Sequence, residues 1–279
     1  MTGRSVALSL REAGCLRFDA AEPFIYASRK IGPVYVDVRQ LSSRPEGWSL
    51  VLDELQRTIE REVGRDAFDA VSGGEVADLI FSIPVALRLG KPHIVVRKKE
   101  KGYGVGGRLV GRPVAGQRVL HVADLVTTGE SAVDWVRALR GSEMAVEHYA
   151  AVFDRMQGGG DRLRQEGVAV HSLARLDRDF LELAAAGQAD SIAEYLRDPE
   201  GWARRFLRRD PGFVLRHTDV SGGQVVRPEG LQVLTEGYPA LVGELEGAVC
   251  EGLGRMGVEE PARLLRPAQY EASDQETPF

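Results

Sequence analysis

Residues 118–131 read R-V-L-H-V-A-D-L-V-T-T-G-E-S, and the fold turns on this stretch. The apolar residues Val119, Leu120 and Val122 lead into Asp124, small and hydroxylated residues follow, and a helical pattern starts at Ser131. A buried strand passing into a helix through Thr127, Thr128, Gly129, Glu130 and Ser131 makes an anion cradle. Its backbone N–H groups converge, and the helix N-terminus adds partial positive charge. Gly129 permits close approach or positive φ, and the hydroxyls of Thr127, Thr128 and Ser131 add donors. Asp124, at the end of the strand, sits where open α/β sheets place their ligands. The same residue types also make ordinary turns and helix caps.

Working outward, strands and helices alternate on both sides. Strands are expected at 68–71, 93–96, 119–122, 146–153 and 168–172, and helices at 76–89 (with Pro84 bending or dividing it), 131–139 and 161–165. Strands separated by helices predict an α/β fold, a mostly parallel twisted sheet with helices on both faces. Before them, 4–14 reads as a short amphipathic helix, and 16–18, 24–27 and 34–38 read as extended segments of a small antiparallel hood. Ser43-Arg44-Pro45-Glu46 has capping-box spacing and predicts a helix to about Val63. Beyond Asp177 the pattern is helical. The expected division is a domain at 1–176 that includes the hood, a helical extension at 177–256, and a polar, partly disordered tail at 257–279.

Composition narrows the class. The chain has 279 residues, is 43% hydrophobic and 28% charged, and carries a net charge of -5, which argues against general nucleic-acid binding. Its two cysteines, Cys15 and Cys250, have no metal-ligand spacing, so a reduced pair is expected. There is neither an apolar stretch of membrane-spanning length nor a signal-peptide core, so no membrane partner and a cytoplasmic location are expected.

Three other stretches carry chemistry. Arg97, Lys98, Lys99 and Lys101 adjoin Gly102, Gly104, Gly106 and Gly107, cations on a backbone too glycine-rich and charged to pack. Such a loop can close over a polyanion and stabilise charge on a leaving group; its plain alternative is a solvated charge run. Arg155, followed by Gly158-Gly159-Gly160, suits bidentate binding of a carboxylate, or an ion pair with Asp154. Ser72-Gly73-Gly74-Glu75 suits a phosphate turn, although Glu75 and Asp78 would repel an anion.

Together these stretches resemble the orotate phosphoribosyltransferase family of the type I phosphoribosyltransferase fold. The 123–131 segment resembles its ribose-phosphate motif, an acidic pair followed by a Thr-Gly-Ser-type loop. Arg97-Lys98 and Lys101-Gly102-Tyr103-Gly104 resemble its mobile catalytic loop, residues 24–28, 33–39 and 43–45 its hood, and Asp154 to Gly159 its Asp-Arg-x-x-Gly-Gly segment. The resemblance covers roughly 18–172. It implies transfer of a phosphoribosyl group from phosphoribosyl diphosphate (PRPP) to a pyrimidine base such as orotate, with Mg²⁺ held mainly by the substrate. In that picture Lys101 and Asp124 are catalytic. Thr127, Thr128, Gly129, Glu130 and Ser131 hold the 5′-phosphate, Arg97, Lys98 and Tyr103 join Lys101 around the pyrophosphate, and Arg155 takes the orotate carboxylate. A homodimer is implied as well.

The departures are Ala123 for the first acid of the pair, Ala27 for a hood lysine, Gly102 for the loop aspartate, and Glu75 and Asp78 in the pyrophosphate turn. They leave two other readings open: a different acceptor base, or a sensor that binds PRPP or a nucleotide without catalysis.

Overall fold

The computed structural model describes residues 3–26, 28–101, 107–185 and 187–266. In chain order the elements are α1 (Gly3–Glu12), β1 (Leu16–Phe18), β2 (Phe24–Ile25), β3 (Ile31–Gly32), β4 (Val34–Val36), α2 (Pro45–Glu62), β5 (Ala70–Gly74), α3 (Leu79–Leu89), β6 (His93–Lys101) and β7 (Gly107–Val110). There follow β8 (Arg118–Val126), α4 (Glu130–Arg140), β9 (Ala145–Asp154), α5 (Gly159–Gln165), β10 (Ala169–Arg175) and α6 (Arg178–Ala184). The remainder comprises α7 (Ala189–Arg197), α8 (Pro199–Arg209), α9 (Gly212–Arg216), β11 (Asp219–Ser221), β12 (Gln224–Arg227), α10 (Glu229–Gln232), α11 (Val242–Arg255) and α12 (Pro261–Leu265).

The chain forms two compact units, one of residues 1–17 and 36–189, the other of 18–35 and 190 onward. The first is the expected α/β unit. Its six strands run in the order β10-β9-β8-β5-β6-β7, parallel except for the antiparallel edge pair β6–β7. Central strands of such a sheet are covered on both faces and need continuous apolar runs, which β8 and β9 supply: Val119, Leu120, Val122, Ala150, Ala151 and Val152 are all buried. α4 packs its apolar stripe (Ala132, Val133, Val136, Leu139) into a core with Val119, Ala123 and Val146.

In the second unit the hood pair β2–β3 is antiparallel, as expected. The expected division at 177 is not the one observed. Ile31 belongs to one buried apolar cluster with Trp202, Phe206 and Tyr238, with Ile25 and Tyr26 packed against it, so the hood segment belongs with the C-terminal helices. The expected all-helical C-terminal pattern also contains the hairpin β11–β12, turned by Gly222-Gly223 at positive φ. Of the expected tail, 257–266 is described and carries α12; 267–279 lies outside the described residues.

Three local expectations in the first unit change. The capping box does not form: 38–43 is a 3₁₀ turn closed by Arg44 N–H to the Leu41 carbonyl, so α2 starts at Pro45 with Arg44 as its cap. The helix expected from 76 begins at Leu79 and runs undivided through Pro84. The strand expected at 68–71 is displaced to 70–74, so the presumed glycine turn is itself strand. A Cβ on Gly73 would collide with Ser82 of α3, and one on Gly74 with Trp135 of α4. These glycines therefore serve close helix–sheet packing on both faces.

Candidate functional site

β5 leads through α3 to β6 on one side of the sheet, and β8 leads through α4 to β9 on the other. Between neighbouring strands whose connections diverge, a crevice opens at the carboxyl ends. A cavity of about 170 Å³ lies there, lined by residues of both strand ends and of α4.

Its anion-binding wall is the N-terminus of α4. Gly129 caps the helix at φ +80°, and the first intrahelical bond is Val133 N–H to the Gly129 carbonyl at 2.9 Å. The amides of Glu130, Ser131 and Ala132 come before that bond, as orphan donors of a helix start do. Thr127, Gly129 and Ser131 line the cavity; Thr128 is exposed and does not. Glu130 turns its carboxylate outward to Arg162 at 3.9 Å, which leaves its amide as its offering to an anion.

The floor is acidic. Asp124 lies inside β8, which runs to Val126. Its Oδ1 accepts from Leu125 N–H at 2.7 Å, and its own N–H donates to Oδ1 of Asp78 at 3.1 Å. Asp78 Oδ2 accepts from Gly74 N–H at 2.9 Å and lies 3.4 Å from Nε2 of His121. The buried His121 ring meets Ser72 Oγ through Nδ1 at 2.9 Å and stacks on Tyr149. Burial, and then the charge and hydrogen bond of Asp78, push Asp124 up to about 8, far above the usual carboxylate range. The expected repulsion at 75–78 is answered locally, since Glu75 accepts the Lys98 amide at 2.8 Å and Asp78 accepts two amides.

The basic wall is more ordered than its composition predicts. Arg97 to Lys101 continue β6, which pairs antiparallel with β7, and Arg108 clamps the pair with Nε on the Arg97 carbonyl (3.0 Å) and its guanidinium on Asp134 of α4. Lys98 lines the cavity, and Nη1 of Arg97 is buried with no hydrogen-bond partner among the described residues. The Lys101 side chain, Tyr103, the rest of 102–106 and Ala27 lie outside the described residues. Arg155 stands just past β9 with its amide on the Val126 carbonyl at 2.9 Å, and it is not among the residues lining the cavity.

The structure thus brings Lys98, Asp124, Thr127, Gly129 and Ser131 together and adds Asp78, Trp135 and Tyr149, which the motifs do not mark as ligand-facing. Tyr149 is legible only from register, which sets it opposite His121 across β8–β9. No three His, Cys, Asp or Glu side chains among the described residues converge to hold a metal. No helix among them is long and apolar enough to cross a membrane.

The chain is 38% identical over 212 residues to an orotate phosphoribosyltransferase of Dinoroseobacter shibae, a match covering 74% of this chain and 94% of that protein. It is 36% identical over 218 residues to one of Cereibacter sphaeroides, covering 75% and 93%. Among solved structures it resembles an orotate phosphoribosyltransferase of Aeropyrum pernix, with a TM-score of 0.57 and 31% identity over 65% of this chain and 99% of that one. It also resembles Leishmania donovani UMP synthase, with a TM-score of 0.60 and 25% identity over 72% and 42%. No protein-family model matches.

Proposed function

This chain belongs to the orotate phosphoribosyltransferase family, and from that premise we propose that the cavity between β5 and β8 is where it transfers a phosphoribosyl group from PRPP to orotate, releasing pyrophosphate. The observation that carries the assignment of the site is the pairing of one buried carboxyl, Asp124, with the α4 N-terminus in a single crevice. A ribose 5-phosphate needs both, an anion cradle at one end and hydroxyl acceptors at the other.

In this reading the amides of 129–131 and the hydroxyls of Thr127 and Ser131 hold the 5′-phosphate, and Asp124 accepts from the ribose hydroxyls. The ribose gains oxocarbenium character as pyrophosphate leaves. Asp124 in its ionised form stabilises that positive charge as a carboxylate. Lys98 and Arg97, with Lys101 and Tyr103 from the adjoining loop, compensate the leaving pyrophosphate, and Arg155 binds the orotate carboxylate bidentately. Holding both reactants in line supplies most of the remaining acceleration.

Mg²⁺ fits this site as a passenger of the substrate. It would arrive with PRPP, held mainly by phosphate and hydroxyl oxygens and water, and would supply neutralisation of phosphate charge. We place the enzyme in the cytoplasm. We also propose that it is a homodimer, formed on an apolar surface at α3 where Val76, Ile83 and Leu87 are 74%, 47% and 81% exposed.

The test is to follow orotate absorbance with PRPP and Mg²⁺ present, alongside a panel of other bases. PRPP-dependent loss of orotate is the expected result. Turnover of another base in its place, or PRPP binding with no turnover, would reject orotate as acceptor.

A further inference from the structure

Asp78 has no part in the chemistry above, yet it is the most heavily engaged side chain of the cavity. It comes from the β5–α3 connection, just past the strand that pairs with β8, and it is buried. One oxygen accepts the main-chain amide of Asp124 at 3.1 Å, the other accepts that of Gly74 at 2.9 Å, and its charge helps push the Asp124 carboxyl up. Gly74 admits this arrangement, since a Cβ there would stand 2.8 Å from Oδ2 of Asp78. Within β8, the neighbour that adjoins Asp124 on its N-terminal side is Ala123, fully buried opposite Ala151 and unable to assist it.

We propose that Asp78 is the positioning residue of the sugar site, a second carboxyl reaching across from the β5–α3 connection to fix Asp124 in place. This inference rests on the reading of the cavity as the PRPP site. Asp78 acts through Asp124 in two ways. It tethers the β8 main chain at the residue that meets the ribose, and its carboxyl, set beside that of Asp124, raises the cost of ionising Asp124. The other ionisable groups that face the pair are His121 and Tyr149 beneath it, Arg39, and Lys98 and Glu75 across the cavity. None of these hydrogen-bonds the Asp124 main chain as Asp78 does.

The experiment compares wild type, Asp78→Asn and Asp78→Glu by melting temperature, by kcat and KM for PRPP against pH, and by calorimetric PRPP binding. Asp78→Asn is expected to lower kcat at its optimal pH by about tenfold with a smaller change in KM. It should also move the acid limb of kcat/KM down by about one pH unit, because a like charge beside Asp124 is gone. Asp78→Glu keeps the charge, so its limb stays near that of wild type while its kcat falls with the altered tether. A merely structural role would lower the melting temperature and leave the limb where it is, and that result, or wild-type kinetics in Asp78→Asn, overturns the proposal. If Asp78→Asn does not fold, Asp78→Glu decides alone, wild-type kcat contradicting the proposal. Wild type that fails to consume orotate contradicts the acceptor assignment instead, and PRPP affinity then decides the role of Asp78, a weaker affinity in the variants supporting it and an unchanged one overturning it.

Discussion

The main chain of Gly159 is stacked on that of Gly129: a Cβ on Gly129 would stand 2.9 Å from the Gly159 Cα, and the Gly159 amide donates to the Thr127 carbonyl at 2.9 Å. The anion cradle thus has its shape because the loop after β9 presses bare backbone against it. That gives Gly159 a physical task distinct from touching a ligand.

Substituting either partner should therefore act on the substrate phosphate. Gly159→Ala drives a methyl into the Thr127 carbonyl, for an expected cost of about 1–3 kcal/mol and a rise in KM for PRPP. Gly158→Asn is the control, because nothing lies within 4 Å of its Cβ and its φ of +87° is tolerable to Asn. Steady-state kinetics on the pair should find the PRPP defect in Gly159→Ala alone.

The pH dependence of the reaction should carry the mark of Asp124. With the carboxyl pushed up to about 8 in the free enzyme, kcat/KM for PRPP is expected to rise with pH through that region and level off above it. A profile flat from pH 6 to 9 would count against Asp124 as the group that must ionise.

The same group should cost stability. The folded-state value of Asp124 lies above its unfolded value near 3.8, so the native state binds the more protons between that point and about 8, and stability falls as pH rises across the window. Asp124→Asn keeps the acceptor for the Leu125 amide and removes the charge. It is expected to abolish turnover while stabilising the fold at pH 8 by about 1–3 kcal/mol, with the gap closing towards pH 4. Thermal melts of both proteins over that range check the sign.

The apolar residues at α3 offer a fourth test. Leu87→Asp places a charge in the proposed dimer surface while Leu87, 81% exposed, buries little within its own chain. Sedimentation should find a dimer in wild type and a monomer in the variant, with the melting temperature changed little.

Much of this architecture was legible in residue order alone. Val119, Leu120 and Val122 marked a buried strand, Gly129 was a residue fit for close approach or positive φ ahead of a helix, and the alternation of apolar runs with helical spacing predicted a mostly parallel sheet; the strand, the positive φ and the sheet are observed, with the helix starting one residue earlier than Ser131. What was not legible depends on neighbours in space. Asp78 read as an obstacle to phosphate because its partners, the amides of Gly74 and Asp124, come together only when β5 and β8 pair. Glycines 73 and 74 read as a turn because local sequence cannot say that Ser82 and Trp135 press on them from opposite faces. Arg97 to Lys101 read as loop because the clamp on that strand, Arg108 on Asp134, spans 26 residues. The hood read as part of the α/β unit because its apolar partners, Trp202 and Phe206, lie some 170 residues further along the chain.

The most direct test of the central claim is a crystal structure of the wild-type protein with PRPP and Mg²⁺. The account predicts the 5′-phosphate on the amides of 129–131 and the ribose hydroxyls within hydrogen-bonding distance of Asp124. A phosphate bound elsewhere, with the α4 N-terminus left to solvent, would contradict it.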